Sequence, residues 1–211
     1  MASRVKFFMP AIAAAVLLAA PTANAGLLDP VLAPVTQVVL PTCGSNSYPF
    51  SKFGDSHAYY GFANNGFESG SNGWSLSGGA YVGYGNEPWY TNGWGSHSLV
   101  LPPGASATSP GFCINLLDPS LRAFAKSVGA NGNLQVQVVF RGVTGNLTGI
   151  LNAASFAPGG YAAWQPTDRV SSSLALPLLT SYAQIRVVNS GRSGNWQLDD
   201  AFVDPYICGI G

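Results

Sequence analysis

The chain has 211 residues, 9 basic against 9 acidic side chains, only 9% charged residues and 47% hydrophobic residues, with 26 Gly and 15 Pro. A formal charge of zero lacks the basic footprint of a nucleic-acid binder, and so few charges among abundant Val, Leu and aromatic residues is the reverse of a disordered composition. No Gly-X-Y period, heptad, P-loop or long internal repeat is present, which sets aside collagen-like, coiled-coil, nucleotide-binding and repeat architectures.

Residues 1–25 begin with Arg4 and Lys6, continue through an apolar stretch from Phe7 to Ala20, and end on the small-residue site Ala23-Asn24-Ala25. This pattern predicts a secretory signal peptide, because the apolar stretch is short of the ~20 residues that span a bilayer. Its removal leaves one domain-sized, slightly acidic chain with no membrane span, expected outside the cell. Residues 26–60 follow as a Pro-punctuated arm, too rich in Pro for a helix and too poor in charge for a solvated linker. Residues 61–211 are expected to form the folded domain.

Three cysteines, Cys43, Cys113 and Cys208, remain after cleavage. In an oxidising compartment they predict one disulfide and one leftover thiol. Cys43 and Cys113 both adjoin core-type segments, whereas Cys208 lies at a chain end, so Cys43–Cys113 is the favoured pair. Cys43–Cys208 and three free thiols stay open.

More than half of the Phe, Tyr and Trp residues fall between Tyr48 and Trp94, among Gly, Asn and Ser. Beyond them, apolar and polar residues alternate at His97 to Leu101, Leu121 to Val128, Leu134 to Phe140, Leu147 to Leu151, Ala183 to Val188 and Trp196 to Val203. Runs of period two, each bounded by Gly, Pro, Asn or Ser, predict an all-β sandwich.

Carboxylates are scarce enough that their placement is informative. Asp199 and Asp200 interrupt the apolar alternation of Trp196, Leu198 and Phe202, so one of the two must share the buried face, where an unpaired charge costs several kcal/mol. A strand end with a cationic partner, or a hard cation held by oxygens, would each resolve this.

NNGFESGSNGW (residues 64–74), GSHSLVLPPG (residues 95–104) and NWQLDDAFVDP (residues 195–205) resemble the first, middle and last strands of galactose-binding-like jelly rolls, including bacterial carbohydrate-binding modules. The chain is also similar to secreted actinobacterial proteins built as a single such domain. The resemblance implies a jelly-roll β-sandwich and a structural calcium held by Glu68, the Gly95 and Ser96 carbonyls, and Asp199 with Asp200 as runner-up. It also implies a non-catalytic binding module for extracellular or cell-wall glycan. Sugar binding needs exposed rings flanked by polar groups, and the Gly- and Pro-broken segment around GNEPWYTNGW offers Trp89, Tyr90 and Trp94 as ligand contacts. A structural or adhesive surface protein, with Cys208 available for a dimer bridge, is the alternative. An enzyme is not expected, since no nucleophile motif occurs, His57 and His97 are the only histidines, and Glu87 would need Asp118 or Asp168 folded beside it to act as a glycosidase pair.

Overall fold

Leu134, Val136, Val138 and Phe140 leave one face of a strand and are buried, while Gln135 and Gln137 leave the other, as the alternation of LQVQVVF dictates. The same arithmetic builds the other long strands of the computed structural model, which describes residues 47–112, 120–171 and 180–204. In chain order the strands are β1 (Tyr60–Gly61), β2 (Ser75–Ser77), β3 (Tyr81–Tyr84), β4 (His97–Leu101), β5 (Ser106–Thr108) and β6 (Ser120–Val128). They continue with β7 (Leu134–Arg141), β8 (Leu147–Phe156), β9 (Gln165–Pro166), β10 (Val170–Ser171), β11 (Tyr182–Asn189) and β12 (Asn195–Val203).

Two antiparallel sheets result. One runs β10-β6-β12-β4-β3, with β1 also on β12 and β9 also on β6, and the other runs β2-β5-β11-β7-β8. Inward-facing residues of both fill the space between them, led by Leu99 and Leu101 of β4, Val136 and Val138 of β7, Ile185 and Val187 of β11, and Trp196 and Leu198 of β12. Trp196 is fully buried and its indole N–H donates to the Gly132 carbonyl at 2.8 Å, so its one polar atom is satisfied. Only about 10 Å³ of free space remains where Phe62, Trp74 and Leu198 meet, so a ligand has to sit outside the core.

The seven-stranded sheet is covered on its outer face as well. Phe124 of β6 and Phe202 of β12 point outward and are sealed by Phe50 and Tyr59, with Phe53, Trp89 and Trp164 around them. Residues 47–59, which belong to the arm by sequence, thus complete a second, smaller core. Ser47 and Tyr59 exchange backbone hydrogen bonds at 2.7 Å each, and Asp55 clamps the segment down. Its Oδ2 accepts from Arg122 Nη1 at 2.6 Å and from the Tyr59 hydroxyl at 2.7 Å. Arg122 in turn lies 4.5 Å over the Phe50 ring.

Residues 64–74, expected to form the first strand of the jelly roll, are instead a run of turns between β1 and β2. Asn64 and Phe67 hold φ of 55° and 60°, and the Asn64 side chain takes three local hydrogen bonds, an arrangement in which no ladder can form.

Candidate functional site

β3 and β4 form a hairpin in register Tyr84↔His97, and the loop between them, residues 85–96, carries most of the site. Pro88 and the glycines prevent a tight turn, so the loop is organised from within by one side chain. Glu87, fully buried, accepts the backbone N–H groups of Trp89 and Thr91, and donates its own N–H to Asp199 Oδ2 at 3.0 Å. The loop is thereby tied to β12.

At that point β12 is bulged. Its register against β6 shifts between Asp199 and Phe202, and Asp200 takes φ of 45°, which turns both aspartates into the interior. The alternation predicts one buried aspartate; two are found, with Asp199 fully buried and Asp200 nearly so. Asp199 Oδ1 accepts the Asp200 N–H at 2.9 Å, and Asp200 Oδ2 accepts the Asn92 N–H at 3.0 Å. Gly66 closes the cluster from the turn region, since a Cβ there would sit 2.8 Å from Asp200 Oδ1. The non-glycine residues with positive φ among the described residues are Asn64, Phe67, Tyr90 and Asp200, so backbone strain concentrates in the turn, loop and bulge that meet here.

Three carboxylates therefore lie out of water, and among the described residues none of Glu87, Asp199 and Asp200 has an ion pair with Lys, Arg or His. Burial, reinforced by the Asp200 charge, pushes Asp199 up to about 9. Burial and the Glu87 charge push Asp200 up as well. Such a cluster resolves its charge by holding protons or by holding a cation. The donor set is all oxygen, and the Thr91 hydroxyl is buried beside it with no hydrogen-bond partner, both of which suit calcium. Among the described residues no three His, Cys, Asp or Glu groups are spaced to hold a metal by themselves. Carbonyl, hydroxyl and water oxygens would have to complete the six to eight ligands typical of calcium.

Glu68 stands at the start of β4, near enough for its charge to help raise Asp200. Its Oε1 accepts the Ser96 and His97 N–H groups at 2.8 Å each, and its Oε2 lies 3.0 Å from His97 Nδ1. Although partial burial opposes it, these hydrogen bonds from His97 and Ser96 hold the Glu68 carboxyl below its usual range. Of the set predicted from the sequence, Glu68 is brought to Gly95 and Ser96, and Asp199 and Asp200 to each other. Glu68 does meet Ser96 and adjoins Gly95, where a Cβ would sit 2.7 Å from Glu68 Oε1, but the contact runs through amides. The Ser96 carbonyl accepts the Gly85 N–H at 2.9 Å and keeps a second lone pair.

The three rings divide. Trp89 is half-buried and packs against the outer core, 4.9 Å from Phe53 and 5.3 Å from Phe124. Trp94 is 88% exposed and Tyr90 43%, with ring centroids 4.5 Å apart. Tyr84, which the sequence did not single out, is 87% exposed and stacks on the His97 ring at 5.2 Å and 27°. Glu87 has no access to a glycosidic bond, Asp168 is exposed, and Asp118 lies outside the described residues, as do Cys43, Cys113 and Cys208. His57 is oriented by Asp55 at 2.7 Å and touched by Arg169 at 3.1 Å, in the clamp of the 47–59 segment.

Two antiparallel sheets packed face to face make this architecture a jelly-roll β-sandwich. No family model matches the chain, and no curated protein matches it. Among solved structures it is similar to an arabinose-bound α-L-arabinofuranosidase, MgGH51, at 11% identity and a TM-score of 0.50, covering 71% of this chain and 27% of that one. It is also similar to the CBM22-1 xylan-binding domain of Paenibacillus barcinonensis Xyn10C, at 17% identity and a TM-score of 0.48, covering 70% and 94%. A third likeness, TmCBM61 in complex with β-1,4-galactotriose, has 16% identity and a TM-score of 0.41, covering 68% and 97%. The chain spans about a quarter of the arabinofuranosidase.

Proposed function

We propose that this is a secreted, non-catalytic domain that binds extracellular or cell-wall polysaccharide through the 85–96 loop, with calcium at the Glu87, Asp199 and Asp200 carboxylates as a structural brace. The observation that carries the reading is the Tyr90–Trp94 pair: two rings packed against each other at a 40° tilt and left in solvent by a loop whose base is welded to β12. Exposed rings on a fixed backbone offer flat apolar faces to sugar C–H surfaces at low entropic cost. Calcium in the carboxylate pocket would neutralise charge and fasten the loop to β12, and has no part in chemistry. The leader pattern of residues 1–25 supports export. Xylan and galactan, polymers of sugars named for two of the structures above, are the first ligands to try.

The test is affinity electrophoresis and calorimetry against soluble xylan and galactan, with wild type and Trp94→Ala. Truncating a dominant contact ring typically costs about 2 kcal/mol or more, a loss of roughly 30-fold or greater. The melting temperature should stay put, since Trp94 supports nothing in the core. Binding that survives Trp94→Ala and Tyr90→Ala together would refute the loop as the site.

A second reading, an adhesive surface, has its own observation: Val143, Leu147 and Ile150 are exposed at 63%, 52% and 52% on the β7–β8 hairpin. Concentration-dependent self-association in sedimentation, lost in Ile150→Ser, would favour it.

A further inference from the structure

We infer that the binding surface has two stacking platforms, and that the second, Tyr84 on His97, makes the ligand an extended oligosaccharide rather than a single sugar or a chain end. The inference rests on the glycan reading above and deepens it. Tyr84 is as exposed as Trp94, an unusual state for a large ring at the last position of a paired strand. It is not loose, because its face lies on His97, and His97 is immobilised by three hydrogen-bonding contacts with Glu68 and Ser96. The same Glu68 oxygen that holds the His97 amide holds the Ser96 amide, so the backbone is anchored at both residues, two positions beyond Trp94. Gly95 is required there, since any side chain would collide with Glu68 and with Asn86.

Trp94 and His97 stand three positions apart, so their Cα atoms are at most about 11 Å from one another on an extended chain. Tyr84 is the cross-strand partner of His97, so both ring pairs belong to the same end of one hairpin, and a ligand that engages both has to present two or more sugar rings in succession. Once one ring stacks on Tyr90–Trp94, its neighbour meets Tyr84 at high effective concentration, so affinity rises steeply with chain length. Glu68, 41% exposed and already fixed, lies beside His97 as an acceptor for ligand hydroxyls.

The experiment compares two-ring and six-ring xylo- and galacto-oligosaccharides by calorimetry on the full-length mature protein. The expected wild-type preference for six rings is tenfold or more. Tyr84→Ala should remove that preference and leave two-ring affinity unchanged, Tyr84→Trp should keep it, and Trp94→Ala should weaken both lengths. An unchanged preference for six rings in Tyr84→Ala, with Trp94→Ala still weakening binding, overturns the second platform and spares the glycan reading. Failure of wild type to bind any of these sugars or their polymers overturns both.

Discussion

Replacing Asp200 by Asn tests the buried carboxylate cluster in a way that separates charge from shape. Asn is nearly isosteric, keeps an oxygen for the Asn92 N–H, and tolerates the left-handed backbone that Asp200 occupies at φ 45°. In metal-free protein the cluster keeps protons that free carboxyls would lose, because burial and their carboxylate neighbours raise both Asp199 and Asp200 above their ordinary range, and ionising them leaves buried charge without a partner. A folded-state value raised above the unfolded one means that the folded state holds the proton more tightly. Its contribution is complete below about pH 4 and is lost as pH rises, for Asp199 through about 9. Wild type in EDTA should therefore lose stability steadily from about pH 5 to about pH 9. An uncompensated buried charge is worth about 3–5 kcal/mol, so Asp200→Asn at about pH 8 in EDTA should melt roughly 6–20 °C higher than wild type, at about 2–4 °C per kcal/mol for a domain of this size. With calcium at about a hundred times its dissociation constant, wild type should gain about 2.7 kcal/mol, or about 5–11 °C, and the variant little of it. Thermal melts followed by circular dichroism across this pH range decide the matter. A variant that melts below wild type in EDTA at about pH 8, or a wild type indifferent to pH between about 5 and 9, would refute the reasoning.

Asp55→Asn should destabilise the domain by about 2–4 kcal/mol, since it strips Arg122 of the partner that lets it sit nearly out of solvent. Hydrogen bonds from Tyr59, Arg122 and His57 outweigh burial and hold the Asp55 carboxyl well below the usual range. Its contribution is therefore present above about pH 4 and fades as pH falls below that, so acid denaturation curves of wild type and variant should converge. Trp196→Phe removes the indole N–H that serves the Gly132 carbonyl and leaves a gap between the sheets, with an expected loss of about 2–3 kcal/mol in urea unfolding. The ring variants at Trp94 and Tyr84 should leave both melts and unfolding curves within about 0.5 kcal/mol of wild type.

The long strands were legible because apolar and polar residues that alternate over five or more positions suit a half-buried strand and little else. Accordingly β4, β6, β7, β11 and β12 fall where the pattern places them, and β8 only runs further than expected. β1, β9 and β10 have two residues each, too few to show a period, and exist only because β12 and β6 offer them edges. The turn signals in NNGFESGSNGW, three Asn and three Gly in eleven residues, outweighed its likeness to a strand. At the site, the alternation put one of Asp199 and Asp200 in the interior, but the bulge that buries both is a property of the β6–β12 pairing and has no local signature. Glu87 stands in a segment whose composition is polar, and its burial follows from two amides turning inward to meet it. Trp89 and Trp94 are the same residue type five positions apart, and only the Phe53 and Phe124 rings, brought from elsewhere in the chain, decide which one is hidden.

The place of β12 bears on when this protein can fold. It is the last of the described strands, yet it pairs with β1, β4 and β6, so Tyr60 of the first strand finds its partner Val203 only in the last. The pairings at the centre of the seven-stranded sheet wait on the strand that is made after all the other described ones, so the growing chain has no complete native sheet in which to settle and the loop-closure entropy falls due all at once.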